Sequence, residues 1–308
     1  MEKTDVPVEF APYGVSDSFI SEQGMPFEYI TAGFAKEILL PRSDLANKHT
    51  YGHTLLVCGS LGMAGAAVLA AGGALRSGCG LVTVHIPFEE RFALTANYPS
   101  AMTSLDPAHY FTKVPDNIRK YSSVGVGCGL GQSAETASAL SDLIDVCRSE
   151  GIPMIIDADA INILADRKDL LSKLPSKTIL TPHAGELERL IGEWSSNEDK
   201  ILKTLEFAGK YDLVVISKGH DTMVCEGSSR ILFNSTGNSG MAKGGSGDIL
   251  TGFLAGLIAR GYGTLEAATL GVFIHGLAGD KARDYFGPEG MNSADIIDFL
   301  AEAMIEIE

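Results

Sequence analysis

The chain has 308 residues, of which 45% are hydrophobic and 20% charged, and its mean hydropathy is +0.13, so its composition excludes a disordered or fibrous protein. Its 24 Lys and Arg residues against 39 Asp and Glu residues give a formal net charge of −15, which disfavours broad electrostatic binding to nucleic acid or an anionic membrane. The N-terminus lacks the regions of a signal peptide, and no run reaches the roughly 18 apolar residues of a membrane span, so we expect a cytoplasmic protein.

The N-terminal part is predicted to be a leader of residues 1–28, followed by one domain over residues 29–308. Apolar residues at helical spacing predict a first helix over 29–40, which Pro41 ends. Short apolar runs then alternate with helical patterns, which is typical of βαβ units in a mostly parallel sheet with helices on both faces. The predicted strands are 54–58, 81–86, 124–126, 154–156, 178–180 and 213–216, and the predicted helices are 63–76, 135–147, 187–191 and 200–207.

The pattern changes after Lys218. Two short apolar runs, 222–225 and 231–233, flank a turn-like segment at 226–229 and predict a late antiparallel hairpin. Three further helices are predicted over 248–259, 265–284 and 293–307. The fold class is therefore α/β, a three-layer sandwich. Because ligands of open parallel sheets bind outside the carboxyl ends of the strands, the informative residues are those that follow each strand.

A glycine-rich segment leads into the first of these late helices and ends in Gly244-Gly245-Ser246-Gly247-Asp248. Such a turn points free backbone N–H groups and the positive end of the helix dipole at one spot, which favours an anion such as a phosphoryl group. Asp248, in the first turn, could accept the proton of a substrate hydroxyl that attacks phosphorus. The local alternative is that the glycines only form a turn and Asp248 only caps the helix.

Other segments near strand ends combine small, acidic and imidazole residues; they are 48–52, 59–67, 127–131, 157–162, 181–186 and 218–222. Small residues let a ligand or a packed helix approach the backbone. The acidic residues of segment 157–162 have two possible roles. The carboxylate of Asp157 suits a hard cation, and capping of the next helix by Asp159 explains the segment equally well. Lys218 offers positive charge for phosphates. The histidines that fit no metal-ligand spacing are His49, His53, His85, His109 and His275.

Together these motifs resemble those of the ADP- or ATP-dependent NAD(P)H-hydrate dehydratases, a repair family within the ribokinase-like superfamily. The resemblance runs from about Ile30 to the C-terminus and includes K-x-x-Y-G, G-S-x-x-M-x-G-A-A, G-x-G-L-G, D-A-D-A-x-N, T-P-H-x-G-E, K-G-x-x-T and G-G-S-G-D. Two positions depart from the family's pattern: Cys128 stands where Pro is usual, and Ser246 where Thr is usual.

The resemblance implies a ribokinase-like fold and a repair reaction. ADP, or in some relatives ATP, phosphorylates the ring hydroxyl of the S-form of NAD(P)H hydrate with the help of Mg²⁺, and elimination of phosphate restores NADH or NADPH. The enzyme is then a carbon–oxygen lyase, and ADP converted to AMP is the expected co-substrate. The residues before Ile30 are too few for an epimerase domain, so we expect a stand-alone dehydratase that depends on a separate epimerase protein. Relatives with this fold commonly assemble, and the apolar C-terminal helices leave room for an interface, so we also expect a homo-oligomer.

The same resemblance assigns the site residues. Asp248 is the predicted catalytic base. The predicted substrate-binding residues are Ala67, Gly129, Gly131, His183 and Asp248. The predicted nucleotide-binding residues are Lys218, Gly219, His220, Asp221, Thr222, Gly244, Gly245, Ser246 and Gly247, and the candidate metal ligands are Asp157 and Glu186.

Two alternatives stay open. A small-molecule kinase of the same fold, acting on a vitamin precursor such as hydroxymethylpyrimidine or hydroxyethylthiazole, needs the anion-binding loop and Asp248 but not the T-P-H-x-G-E motif. A catalytically silent protein would bind nucleotide without turnover. Substitution of Asp248 by Asn distinguishes the last case, because an enzyme loses turnover whereas a silent binder loses nothing measurable.

Overall fold

The computed structural model describes residues 14–16, 19–20, 22, 27–227 and 230–308. The strands in this part of the chain are β1 Phe27–Ile30, β2 His53–Val57, β3 Leu81–Pro87, β4 Met102–Asp106, β5 Ser123–Val126, β6 Met154–Ile156, β7 Ile179–Leu180, β8 Val214–Ser217, β9 Met223–Glu226 and β10 Arg230–Asn234. The α-helices are α1 Ala32–Glu37, α2 Ala64–Arg76, α3 Arg91–Asn97, α4 Ala134–Glu150, α5 Ala158–Asp166, α6 Ala184–Ile191, α7 Asn197–Tyr211, α8 Ser246–Arg260, α9 Thr264–Gly290 and α10 Ser293–Ile307.

The strands form one sheet in the order β1-β10-β9-β8-β7-β6-β5-β2-β3-β4. From β8 to β4 every neighbouring pair is parallel. The predicted late hairpin is present, since β9 and β10 pair antiparallel with Leu232 opposite Val224. Ser228 and Ser229, in its predicted turn, lie outside the described residues.

Each face of the sheet carries its own apolar core, which is the three-layer arrangement predicted from the sequence. In β2, Leu55 and Leu56 are both fully buried and point to opposite faces. Leu56 belongs to the cluster formed with α2, α8, α9 and α10, and Leu55 to the cluster formed with α4, α5 and α7. Burial on both faces is why these strands read as continuous apolar runs.

Close packing of α2 against α8 explains the small residues of both helices. A Cβ atom on Gly252 would lie 1.8 Å from the carbonyl oxygen of Ala70, and one on Gly73 would lie 2.1 Å from that of Ile249. The two backbones are therefore in direct contact. This contact fixes α8, whose N-terminus lies at the carboxyl ends of the parallel strands.

The two edges of the sheet differ from the sequence prediction. The helix predicted over 29–40 is shorter, because Tyr29 and Ile30 belong to β1, which pairs in parallel with β10. Only Ala32–Glu37 is helical, and the Thr31 hydroxyl caps it by accepting a hydrogen bond from the Phe34 N–H. β4 and α3 were not predicted; β4 shows no apolar alternation, since four of its five residues are exposed or half-buried.

Most of the predicted leader lies outside the described residues. Of its residues 14–28 that are described, Val15 and Phe19 are buried against the core, and Phe27 and Glu28 belong to β1. The boundary at residue 28 stays a prediction. Within the described part of the chain, no helix combines the length and apolarity needed to cross a membrane.

Candidate active site

Chemically active side chains from three separate segments meet at the carboxyl end of the sheet. Cys128 follows β5, Asp157 follows β6, and Asp248 lies in the first turn of α8. The thiol sulphur of Cys128 and one carboxylate oxygen from each aspartate all lie within 4.8 Å of one another. We call these three residues, together with Lys218, which follows β8, the Asp157 cluster.

Asp157 is the anchor of this cluster. Its side chain is 2% exposed, and its Oδ1 accepts a hydrogen bond from Lys218 Nζ at 2.8 Å. Its Oδ2 accepts from the Thr251 hydroxyl at 2.9 Å and from the Cys128 thiol at 3.9 Å. Burial lowers the pKa of Lys218, but the Asp157 and Glu186 carboxylates outweigh it and raise that pKa overall. The ammonium group is therefore charged, and the buried carboxylate is balanced.

The glycine-rich loop brings the start of α8 directly onto this ion pair. Gly245, the N-cap of α8, has a φ of 99°, which a residue with a side chain rarely adopts. A Cβ atom on Gly247 would lie 3.1 Å from Lys218 Nζ and 3.4 Å from Asp157 Oδ2. Among the described residues, the backbone N–H groups of Gly247 and Asp248 have no acceptor. A helix N-terminus and an ammonium group thus lie close together, an arrangement that favours an anion.

Asp248 has the properties of a base that works near neutral pH. Burial and the neighbouring Asp157 carboxylate raise its pKa to about 6, while the Cys128 thiol and Lys218 oppose the shift. Contact with the Cys58 thiol, burial and the two carboxylates raise the pKa of Cys128 well above its usual value, so this thiol is neutral. An aspartate with a raised pKa accepts a proton more readily than an ordinary one.

His183 and Glu186 form the start of α6 rather than a free pair in the cleft. The His183 Nδ1 accepts hydrogen bonds from the N–H groups of Gly185 and Glu186, at 3.1 and 3.2 Å. The Glu186 carboxylate accepts from the His183 N–H at 2.8 Å and contacts its Nε2 at 3.3 Å. This reciprocal arrangement is a capping box. Contact of His183 with a substrate and of Glu186 with a metal stay predictions.

Of the small residues predicted to bind substrate, Ala67 lies in α2, and Gly129 and Gly131 lie in the turn that follows β5. Ala67 is fully buried, and a Cβ atom on Gly59 would lie 3.2 Å from its methyl group. Gly129 and Gly131 both have positive φ, and the Gly131 N–H donates to Asp159 Oδ2 at 2.9 Å. Asp159 therefore ties this turn to α5 and does not cap that helix, whose N-cap residue is Asp157. The substrate contacts themselves stay predictions.

The predicted nucleotide segment forms a closed turn beside the Asp157 cluster. The Thr222 hydroxyl donates to the Gly219 carbonyl at 3.0 Å and accepts from the Gly219 N–H at 3.3 Å. His220, whose side chain is 96% exposed, lies 3.0 Å from an Asp221 carboxylate oxygen. Gly244, in the glycine-rich loop, has open space where a side chain would stand.

Sequence reasoning missed Thr251, which holds the Asp157 carboxylate from within α8. The available signal was its position three residues after Asp248, which places both side chains on one face of the helix. Its partner lies 94 residues away in the chain, so the hydrogen bond itself had no local signature.

Comparison with known proteins gives consistent matches. The family model for NAD(P)H-hydrate dehydratase matches residues 54–302. The chain is similar to the bifunctional NAD(P)H-hydrate repair enzyme Nnr of Moorella thermoacetica, with 32% identity over 317 aligned positions. The match covers 98% of this chain and 58% of that protein. The chain spans little more than half the length of such bifunctional relatives.

Two further matches extend over most of both chains. The ADP-dependent (S)-NAD(P)H-hydrate dehydratase of Neisseria meningitidis is 34% identical over 251 residues, which is 80% of this chain and 82% of that protein. The chain is also similar to the crystal structure of the ADP/ATP-dependent NAD(P)H-hydrate dehydratase from Bacillus subtilis, co-crystallized with ATP/Mg²⁺. The two are 27% identical with a TM-score of 0.77, and the match covers 91% of this chain and 99% of that one. Similarity to solved structures confirms the predicted ribokinase-like fold. Since the family model covers most of the chain and the Neisseria relative aligns over most of its length, the chain belongs to the NAD(P)H-hydrate dehydratase family.

Proposed function

We propose that the protein returns the S-form of NAD(P)H hydrate to NADH or NADPH, using ADP or ATP as phosphoryl donor. The observation that carries this proposal is the Asp248 carboxylate, with its raised pKa, beside the unpaired N–H groups at the start of α8 and the Lys218 ammonium. The activity named for the Neisseria relative supports the choice of substrate and of ADP as the preferred nucleotide.

The proposed chemistry has two steps. Asp248 accepts the proton of the ring hydroxyl while that oxygen forms a bond to the terminal phosphorus of the nucleotide, and the bridging P–O bond breaks to leave AMP from ADP. The N–H groups of Gly247 and Asp248 and the ammonium of Lys218 stabilise the negative charge on the transferring group. The ring C–O bond then breaks with phosphate as leaving group, while the neighbouring ring carbon loses a proton and the C=C double bond of NADH or NADPH forms again. Breaking this C–O bond by elimination makes the enzyme a carbon–oxygen lyase.

The remaining assignments belong to the same proposal. Ala67, Gly129, Gly131 and His183 are the residues proposed to contact the hydrated nicotinamide. Lys218 to Thr222 and Gly244 to Gly247 are the segments proposed to hold the nucleotide.

The donor set of the cluster fits Mg²⁺. Asp157 and Asp248 place carboxylate oxygens within 4.8 Å of each other, and oxygen is the ligand that Mg²⁺ prefers. The oxygens of both predicted ligands already have partners, His183 for Glu186 and three hydrogen-bond donors for Asp157. What favours Asp157 is that one of its oxygens lies within 4.8 Å of a carboxylate oxygen of Asp248. When bound, Mg²⁺ would neutralise charge on the nucleotide phosphates. The single domain, the cytoplasmic location, the homo-oligomer and the separate epimerase stay predictions.

The test is turnover of hydrated NADH with Mg²⁺ and either ADP or ATP, measured as the return of reduced-nicotinamide absorbance and the release of phosphate. Asp248→Asn is expected to lower kcat by about two to four orders of magnitude while nucleotide still binds in calorimetry. Asp142→Asn, an exposed aspartate on α4, is the matched control and is expected to match the wild type.

Three results would count against the proposal. Equal turnover in the Asp248→Asn variant would remove Asp248 from the reaction. Consumption of nucleotide only with a vitamin-precursor alcohol would favour the small-molecule kinase. Nucleotide binding without turnover of either compound would favour the silent binder.

A further inference from the structure

The imidazole of His275 lies directly behind the anion-binding loop, and no step proposed above uses it. His275 is in the middle of α9 and is 7% exposed. Its Nε2 is 3.4 Å from the hydroxyl oxygen of Ser246, the first residue of α8. Ser246 in turn immediately precedes Gly247 and Asp248, which carry the unpaired N–H groups.

His275 acts at this position through hydrogen bonding and not through charge. Burial lowers its pKa to about 4; a hydrogen bond with the Ser246 backbone opposes the shift, and the Lys218 ammonium adds to it. Near neutral pH the ring is uncharged and has one N–H donor and one acceptor nitrogen. It can therefore orient the Ser246 hydroxyl without adding a positive charge to the phosphoryl site.

The same stretch of α9 holds the rest of the glycine-rich loop. Three of its residues accept hydrogen bonds from the end of β10 and from the loop that follows it: the Val272 carbonyl from Asn234, the Phe273 carbonyl from Thr236, and the Asp280 carboxylate from Gly237 and Asn238. A Cβ atom on Gly276 would lie 2.3 Å from the Thr236 hydroxyl oxygen, so no gap separates helix and loop. His275 is the contact at the end of the loop, where the chain turns into α8.

We propose that His275 is a positioning residue for phosphoryl transfer, whose hydrogen bond to Ser246 fixes the start of α8 against the transferring group. This inference rests on the proposed function. A displacement of Ser246 moves both the anion-binding N–H groups and the Asp248 carboxylate, and misplacement by about 1 Å can cost a reaction about a hundredfold in rate. The expected effect is on kcat more than on KM.

The experiment compares His275→Leu, which removes both ring nitrogens, with His275→Gln, which keeps an N–H donor of similar reach. We expect His275→Leu to lower kcat for hydrated NADH by about tenfold to a hundredfold, with KM changed by less than about threefold. His275→Gln is expected to recover most of that loss. Adding His275→Leu to Ser246→Ala is expected to cost less than it does in the wild type, because the two residues act through one contact.

Amide hydrogen exchange gives a second readout that needs no turnover. His275→Leu is expected to speed exchange in peptides covering residues 244–250, and His275→Gln is not. An unchanged kcat in His275→Leu, equal losses in the Leu and Gln variants, or fully additive effects with Ser246→Ala would overturn the proposal. If His275→Leu does not fold, the Gln and Ser246→Ala variants carry the same comparison. If the wild type shows no turnover, the proposed function is refuted but the role of His275 is not. Hydrogen exchange then tests whether His275 fixes the start of α8.

Discussion

Removal of one charge from the Asp157 cluster should destabilise the whole protein. Lys218 Nζ lies 2.8 Å from Asp157 Oδ1, and the Asp157 side chain is 2% exposed. At this distance and an effective dielectric constant of about 20, the attraction between the two charges is about 6 kcal/mol, of which part offsets the cost of burying them. Lys218→Met keeps most of the apolar stem but leaves a buried carboxylate without its cation. We expect the free energy of unfolding to fall by about 3 to 5 kcal/mol.

Urea unfolding followed by circular dichroism at pH 7.5 measures this difference independently of activity. Adding Asp157→Asn to Lys218→Met should restore part of the lost stability, because the amide carries no charge to bury. Lys173→Met is the matched control, since its pair with Asp145 is about half exposed, and it should change stability little. If Lys218→Met were no less stable than Lys173→Met, the buried ion pair would not have the role given to it.

Three other perturbations test separate parts of the structure. Since the pKa of Asp248 is raised to about 6 and a base must be deprotonated, kcat/KM should fall as pH drops below about 6, and a profile flat down to pH 5 would contradict this. Gly252→Ala, whose Cβ would lie 1.8 Å from the Ala70 carbonyl oxygen, should lower the free energy of unfolding in urea by about 3 kcal/mol. Gly65→Ala, with open space around it, should raise that free energy by up to about 1 kcal/mol. Equal stabilities of the two variants would rule out the close contact of α2 and α8. The net charge of −15 repels an anionic nucleotide, and salt screens that repulsion. The KM for ADP should therefore fall when KCl is raised from about 10 to about 150 mM. A rise in KM would mean that exposed cations bind the nucleotide.

The interior of the fold was predictable because its strands are buried on both faces. Such strands appear as short, unbroken apolar runs, and β6 has the predicted bounds, Met154–Ile156. α10, Ser293–Ile307, also matches its prediction, since Asn292 caps its start and apolar residues follow at helical spacing. The edges lacked such signals: β4 exposes Met102 and Leu105, and β1 depends on pairing with β10, about two hundred positions further along the chain.

The site was predictable as a set of segments but not as a set of contacts. The rule that ligands bind at the carboxyl ends of parallel strands placed Asp157, Lys218 and Asp248 at one end of the sheet, and the structure brings them together. Sequence could not tell that Glu186 and His183 would bind each other, because a capping box and a ligand site use the same residue types. Nor could it place His275 behind the glycine-rich loop, since that contact joins residues 29 positions apart on two different helices.

Asp157 links the two charges that the proposed reaction needs. Its carboxylate raises the pKa of Asp248, after burial, and so favours proton transfer near neutral pH. It also holds the Lys218 ammonium in its charged form against the effect of burial, and this ammonium lies beside the start of α8. In a chain with a net charge of −15, a phosphoryl group can be held only where such a local positive charge is maintained. One buried carboxylate thus supports both the basicity that begins the proposed transfer and the positive charge that stabilises the transferring group. This double role explains why three donors, from Lys218, Thr251 and Cys128, hold the Asp157 carboxylate in place.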